Sequence, residues 1–401
     1  MINLLKDKKN LTRWAAVSLA AALFVLPLSF SAFEIILTIA VFFQIVSVWK
    51  KGQWVFSITT FDGLVLAFLS WGLLSTVLSP HSSLLLFTFS SGLPICFYFL
   101  VSRQNMSEEN RKFLLQMFWF GAAAVAVCGL WEVYSGAAGI KEDWVDFEKF
   151  PVLLTRMAGP LKNPNLLAGY LSIVIAFWSG YRLYRPKNRD GILGTFGLLL
   201  LVACLLLTYS RGAWLSLFIV LIALGVWARR AKYLICGLIC LAGLIMLTEP
   251  SIMDRIGSIW SPTSESSSAM RLAIWDSTLY IIKDYPIFGI GWGSFPHIYP
   301  AYDYFLGPEQ TIIYHAHNLY LHLAAEVGIV GLLLWLSVVG CCLRELWQRI
   351  CKRDPLAFAI SAALGVVLLG GLTDDWLFNS QIAGFFWFLI GLSRCDVKKS
   401  N

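Results

Sequence analysis

The chain has 401 residues, of which 58% are hydrophobic and only 14% are charged. A soluble globular domain is about 45–50% apolar and about 25% charged, so this composition excludes an ordinary soluble protein and a disordered chain. Its long apolar runs also differ from the alternating strands of a membrane β-barrel. The sequence therefore predicts an all-α, polytopic membrane protein that forms a single integral membrane domain over residues 1–401.

Apolar runs that are long enough, or nearly long enough, to cross a bilayer recur along the chain. In chain order, as spans 1 to 12, they are 14–30, 32–49, 63–78, 84–101, 113–134, 166–181, 192–209, 213–228, 233–248, 319–343, 356–372 and 382–392. Two polar stretches interrupt them, at about 135–165 and at about 249–318 between spans 9 and 10. We expect about 12 transmembrane helices, and we expect these two stretches, the second of them large and helical, to cover the active site.

The placement of charge predicts the topology. Most of the 31 Lys and Arg residues fall in the loops that share a side with the N-terminus. Cytoplasmic loops carry an excess of these residues, so both termini are predicted to be cytoplasmic and both long loops to face outward. The net charge of +7 reflects this asymmetry, and no nucleic-acid partner is expected.

Arginines in outer loops are unusual under the positive-inside rule, so the presence of each one calls for a physical explanation. Arg211 lies in a short turn between spans 7 and 8, Arg156 just before span 6, and Arg271 at the start of an amphipathic segment. A guanidinium can hold an anion in a two-point fork, and Arg156 would stand beside the N-terminus of span 6, capped by Asn163 or Asn165. Each arginine also has a plainer explanation. Arg211 can extend its charged end to the lipid headgroups, Arg156 can be a surface residue beside a helix cap, and Arg271 can pair with a nearby acidic residue.

Three of the five histidines lie close together where the second long loop enters span 10. His317 directly precedes the span, whose outward N-terminus disfavours an imidazolium, so we expect a neutral ring that can accept a proton. His315 and Asn318 are possible auxiliary residues, and His315 is expected to matter less than His317. No carboxylate is near in sequence, so no metal site is predicted. His322 and Glu326, one turn apart, are expected to form a buried polar pair.

Two further outer features carry candidate residues. Asp374 and Asp375 end span 11 and can orient a base or an acceptor hydroxyl, although a solvated carboxylate pair fits equally well. Three glycines at a spacing of two, in the segment 285–295, indicate a loop in which two backbones approach closely. Three cations and one neutral base on one outer face suit a pyrophosphate leaving group and a hydroxyl nucleophile. An activated donor on that face would have to arrive attached to a lipid.

In their order and spacing, several segments resemble the O-antigen ligase and polymerase superfamily, bacterial membrane glycosyltransferases of C-type architecture. These segments are 156–171, 210–212, 271–275, 286–291 and 315–331. The resemblance implies a multi-pass protein of the bacterial cytoplasmic (inner) membrane, with its active site on the periplasmic face. It also implies a glycan donor linked to undecaprenyl pyrophosphate and an inverting transfer that needs neither a metal nor another cofactor.

The resemblance also implies roles for individual residues. His317 matches the histidine proposed to deprotonate or orient the acceptor hydroxyl. Arg211 and Arg271 match the essential arginines, which would bind pyrophosphate, and Arg156 matches a third basic position. The late acidic position falls on Asp374 or Asp375, and the sequence does not choose between them.

Ligase and polymerase functions need the same donor site, so both stay open at this point. A ligase transfers the glycan to a sugar hydroxyl of lipid A–core oligosaccharide, and this interpretation is favoured. A polymerase joins the glycan to another lipid-linked repeat unit of O-antigen or another surface polysaccharide. The rival from another class is a small-solute transporter. The spans carry few internal charges and show no evident internal repeat, which argues against a transporter.

Overall fold

The computed structural model describes residues 8–51, 58–104, 107–137, 156–184, 191–228, 266–303 and 313–395, and all regular secondary structure in these ranges is helical. The α-helices, numbered in chain order, are α1 (Lys8–Val25), α2 (Phe30–Lys51), α3 (Thr60–Leu78), α4 (Leu84–Phe87), α5 (Leu93–Ser102), α6 (Glu108–Tyr134), α7 (Pro164–Tyr184), α8 (Gly191–Leu206), α9 (Arg211–Trp227), α10 (Ser266–Asp284), α11 (Phe295–Ile298), α12 (Leu319–Cys351), α13 (Pro355–Gly370) and α14 (Ser380–Ser393).

Eleven of the twelve predicted spans coincide with helices, and the ninth, 233–248, lies outside the described residues. Span 4 consists of α4 and α5 joined by a π-helical turn, Thr88–Gly92. In the described part of the chain, six helices are long and apolar enough to cross a membrane, and five shorter apolar helices accompany them. The prediction of an all-α polytopic membrane protein is therefore confirmed, whereas the number of twelve spans stays a prediction.

Most of the described helices share one large apolar core, in which α13 takes a central place. It packs against α7 and α9 on one side and also contacts α12 and α14. Helix α7 approaches closely because Gly180 carries no side chain: a Cβ there would lie 2.9 Å from the carbonyl oxygen of Phe358. These contacts bring the starts of α7, α9 and α12 to the same end of the bundle as the end of α13.

The loops gather at two ends of the bundle. One end, which we call the site end, contains residues 156–163, 207–210, 286–303, 313–318 and 371–379; there the amide of Leu319 donates to the carbonyl of Gly371 over 2.8 Å. The opposite end is fastened by charge pairs such as Arg103 with Asp62, 2.6 Å apart. Among the described residues, loops that are predicted to lie on the same side of the membrane therefore lie at the same end of the helix bundle. Which end faces the cell exterior stays a prediction from the positive-inside rule.

Helix α12 is broken at Gly328, whose backbone has φ 72° and ψ 173°. The break frees carbonyls that the helix would otherwise use, and other segments bond to them. The amide of Ile290 donates to the carbonyl of Ala325 over 2.8 Å, and the amide of Gly291 donates to the carbonyl of Glu326 over 2.9 Å. The indole Nε1 of Trp71 donates to the carbonyl of Val327, also over 2.9 Å. Irregular backbone within a spanning helix is tolerated where protein groups satisfy it in this way.

The loop that fills this break is the glycine-rich segment singled out in the sequence. Gly289, Gly291 and Gly293 all have positive φ, which other residues adopt at a cost. A Cβ on Gly289 would lie 2.5 Å from the backbone of Glu326, and one on Gly328 would lie 1.9 Å from the carbonyl oxygen of Ile287. The expected close approach of two backbones is therefore what the structure contains.

Candidate active site

The turn that carries the histidines is held rigidly at the start of α12. Asn318 caps the helix, since its Oδ1 accepts hydrogen bonds from the amides of Tyr320 and Leu321. Its Nδ2 donates to the carbonyl of Leu372 over 3.2 Å. His317, directly before the cap, has a φ of 49° in the left-handed region. Asn318 thus has a structural role, and it joins the histidine turn to the turn that follows α13.

The turn after α13 brings two carboxylates against the histidines. Asp375 Oδ1 lies 3.0 Å from His315 Nδ1, and Asp374 Oδ1 lies 3.8 Å from His317 Nδ1. The two imidazole rings are 4.1 Å apart, centroid to centroid. Asp374 and Asp375 are only 6% and 5% exposed, so the alternative of a solvated carboxylate pair is wrong. The site contains two histidine–carboxylate pairs side by side.

His322 stands behind these pairs, deeper in the protein. Its Nδ1 accepts from the amide of Ala316 over 3.4 Å, which leaves the proton on Nε2. That Nε2 lies 3.9 Å from Asp375 Oδ2. The predicted pairing of His322 with Glu326 is wrong, because the Glu326 carboxylate accepts hydrogen bonds from the amides of Gly293 (2.8 Å) and Phe295 (3.2 Å) instead.

The two site histidines differ in their electrostatic surroundings. The pKa of His317 is lowered to about 3; burial is the largest cause, and the charge of the neighbouring His315 acts in the same direction, against the opposing effect of Asp374. Burial also acts to lower the pKa of His315, but the charge and contact of Asp375 outweigh it, so that this pKa is raised above its usual value. Burial is thus the largest cause that favours the neutral form of His317.

Asp374 stays ionised in this setting. Burial opposes its charge, but the contact with His317 and the positive charges of Arg271 and His315 together lower its pKa below the usual value. The cluster thus combines an ionised carboxylate, a neutral imidazole and a second imidazole that favours its protonated form. Such an arrangement can accept a proton and stabilise the cation that results.

Arg271 reaches the cluster from α10. Its charge lowers the pKa of both His317 and Asp374, and its Nε is buried without a hydrogen-bond partner in the described part of the chain. A small second apolar core holds α10 in place; its buried members are Ile274, Ile281, Ile290, Phe295, Tyr299, Ala316 and Ala325. Two of these residues flank functional positions, Ala316 between the histidines and Ala325 beside Glu326. The core therefore sets the position of Arg271 relative to the histidine turn.

Arg211 begins α9 beside the same turn of carboxylates. Gly212 makes this approach possible, since a Cβ there would lie 2.3 Å from the Oγ1 of Thr373. Ser210 occupies the capping position but makes no side-chain cap hydrogen bond. The start of α9 and the partly buried Arg211 are therefore placed next to the turn that bears Asp374.

Arg156 is placed differently from the other two arginines. It is only 6% exposed, its Nε donates to the carbonyl of Thr208 over 2.8 Å, and its Nη2 donates to Asn165 Oδ1 over 2.6 Å. The cap of α7 is Asn163, whose Oδ1 accepts from the amide of Asn165. Arg156 thus fastens the loop before α7 to the turn before α9, and its predicted contact with pyrophosphate stays a prediction.

The cluster also bears on the question of a metal. Ligand atoms of His315, His317 and Asp374 all lie within 4.8 Å of one another, a spacing that can admit an ion. The sequence indicated no metal site because no carboxylate lies near the histidines in the chain. That premise is wrong, because the fold brings Asp374 to them from a distant segment. The positive charge of Arg271 opposes a cation here. Metal independence stays a prediction.

Two comparisons with known proteins agree with this picture. The family model described as O-antigen ligase matches residues 196–336, which include Arg211, Arg271 and His317 and end before the two aspartates. An O-antigen ligase of Pseudomonas aeruginosa is 27% identical over 315 residues, which are 73% of this chain and 72% of that protein. Together with the apolar helices, these matches indicate a multi-pass bacterial membrane protein with glycosyl-transfer function of the ligase or polymerase type. Both matches support the predicted resemblance to the O-antigen ligase superfamily.

Proposed function

We propose that the protein transfers a glycan from undecaprenyl pyrophosphate to a sugar hydroxyl of lipid A–core oligosaccharide, on the outer face of the bacterial inner membrane. The observation that carries this proposal is the convergence of a neutral His317, an ionised Asp374 and Arg271 at the site end, beside the start of α9 with Arg211. A base next to cations is what a hydroxyl nucleophile and an anionic leaving group require.

In the proposed step, Nε2 of His317 accepts the proton of the acceptor hydroxyl, because Nδ1 faces Asp374. The hydroxyl oxygen forms a bond to the anomeric carbon of the donor while the bond from that carbon to the pyrophosphate oxygen breaks. The electron pair leaves with the lipid pyrophosphate, whose charge Arg211 and Arg271 stabilise. Attack opposite the leaving group inverts the anomeric configuration, and Asp374 stabilises the imidazolium that forms.

The choice of a ligase over a polymerase is supported by the matched family model and by the relative, both of which are named as O-antigen ligases. Product size tests it. Purified protein in lipid nanodiscs is given a lipid-linked glycan donor and a lipid A–core acceptor, with His317→Ala as the inactive control. We expect one transfer onto the acceptor.

Two other outcomes would contradict this proposal in different ways. A ladder that lengthens on the undecaprenyl carrier would identify a polymerase and would retain the donor site. Uptake of a small solute into protein-containing vesicles, without any glycan transfer, would identify a transporter and overturn the proposed chemistry.

A further inference from the structure

His315 is oriented by its surroundings in a way that the proposed step does not use. Its Nδ1 is buried and lies 3.0 Å from Asp375 Oδ1, while a third of its side chain is exposed. The exposed part is therefore the opposite edge of the ring, which carries Nε2. The His317 side chain, by comparison, is only 12% exposed.

The residues behind His315 fix this orientation. Asp375 is buried and touches His315 with one carboxylate oxygen, while its other oxygen lies 3.9 Å from Nε2 of His322. The ring of His322 is itself held by the amide of Ala316 and packs between Phe295 and Phe378. An imidazole whose Nδ1 is buried against a carboxylate can offer only Nε2 to a ligand.

Charge balance indicates that this Nε2 is a donor. Asp374 and Asp375 are adjacent and buried, and buried carboxylates are stable only when positive groups or hydrogen bonds compensate them. Arg271 acts on Asp374 from α10, and His315 is the group in contact with Asp375. The pKa of His315 is raised, which agrees with a protonated ring; burial raises the pKa of Asp375 as well, and the charge and contact of His315 oppose that shift and favour the ionised carboxylate. Among the described residues, the charged or titratable groups whose charge acts on His315, or on which its charge acts, include His317, His322, Asp374, Asp375 and Arg271.

We propose that His315, held by Asp375 and His322, is a third cationic ligand for the diphosphate of the lipid-linked donor, beside Arg211 and Arg271. Its Nε2–H would donate a charge-assisted hydrogen bond to a phosphate oxygen. This inference rests on the proposed function, since it concerns the same donor. It assigns the two histidines different tasks, with His317 serving the acceptor and His315 serving the donor.

Binding of a diphosphate lipid, rather than glycan transfer, tests the proposal. Farnesyl diphosphate is titrated into the full-length purified protein and into His315→Gln, His315→Arg and His315→Lys, each checked for unchanged thermal unfolding. His81→Gln, which alters an exposed histidine, is the matched control. We expect His315→Gln to weaken binding about 10- to 100-fold, the effect of losing one hydrogen bond from a charged donor. At least one of the Arg and Lys variants should bind within about tenfold of the wild type, because the charge is kept.

The outcomes separate this proposal from the proposed function. Wild-type affinity in His315→Gln would overturn the role of His315 and leave the donor site intact. Loss of binding in folded Arg and Lys variants, equal to the loss in His315→Gln, would refute a cationic role. If the wild-type protein binds no farnesyl diphosphate, then the proposed lipid diphosphate donor fails together with the inference.

Discussion

Glu326 is expected to fasten the glycine-rich loop to α12, and its removal should destabilise the protein. The side chain is 1% exposed, and its two oxygens accept backbone hydrogen bonds of 2.8 and 3.2 Å from Gly293 and Phe295. A buried amide that loses its hydrogen-bond acceptor costs about 1–3 kcal/mol, and both amides would lose their partner at once. We therefore expect Glu326→Ala to lower the free energy of unfolding by about 2–6 kcal/mol. Glu326→Gln keeps one acceptor oxygen and should lose about half as much.

The measurement is thermal or denaturant unfolding in detergent at matched protein concentration. Glu345→Ala is the control, since this half-exposed carboxylate pairs with Arg394 at the opposite end of the bundle. An exposed ion pair contributes at most about 1 kcal/mol, so the control should unfold almost as the wild type does. Equal stability of Glu326→Ala and the wild type would refute the role of Glu326. Because the same loop packs against α10, glycan transfer by Glu326→Ala should also fall through misplacement of Arg271.

The other predictions concern the chemistry of the site. His317→Ala should slow glycan transfer about 10²- to 10⁴-fold while binding lipid-linked donor normally, and a loss confined to donor affinity would remove His317 as the base. Arg211→Lys should be nearly as damaging as Arg211→Ala in the same transfer assay, since an ammonium lacks the two-point fork, and near-normal transfer by the lysine variant would contradict this. Transfer should continue in the presence of a chelator, despite the spacing of His315, His317 and Asp374; activity that is lost with the chelator and restored by a divalent ion would show that a metal is required.

Much of the architecture was contained in local sequence properties. Eleven of the apolar runs marked helices that the structure describes, because a span must be apolar along its whole length wherever it lies in the bundle. Asn163 and Pro164 marked the start of α7, because capping depends on neighbouring residues only. The alternation of basic loops likewise predicted which loops share an end of the bundle.

Other features of the site were decided by contacts between distant segments. The sequence placed Asp374 and Asp375 at the end of a span, but only the packing of α12 against α13 brings them to the histidines, 3.0 Å from His315 in the nearer pair. Arg156 looked like the other outer arginines, yet its burial against Thr208 gives it a structural contact. Helical spacing suggested that His322 and Glu326 pair, but the loop that enters the break at Gly328 offers Glu326 two backbone donors. Sequence determined which residues reach the site end, because hydropathy and capping act locally; tertiary structure decided their partners, because burial and pairing depend on segments far apart in the chain.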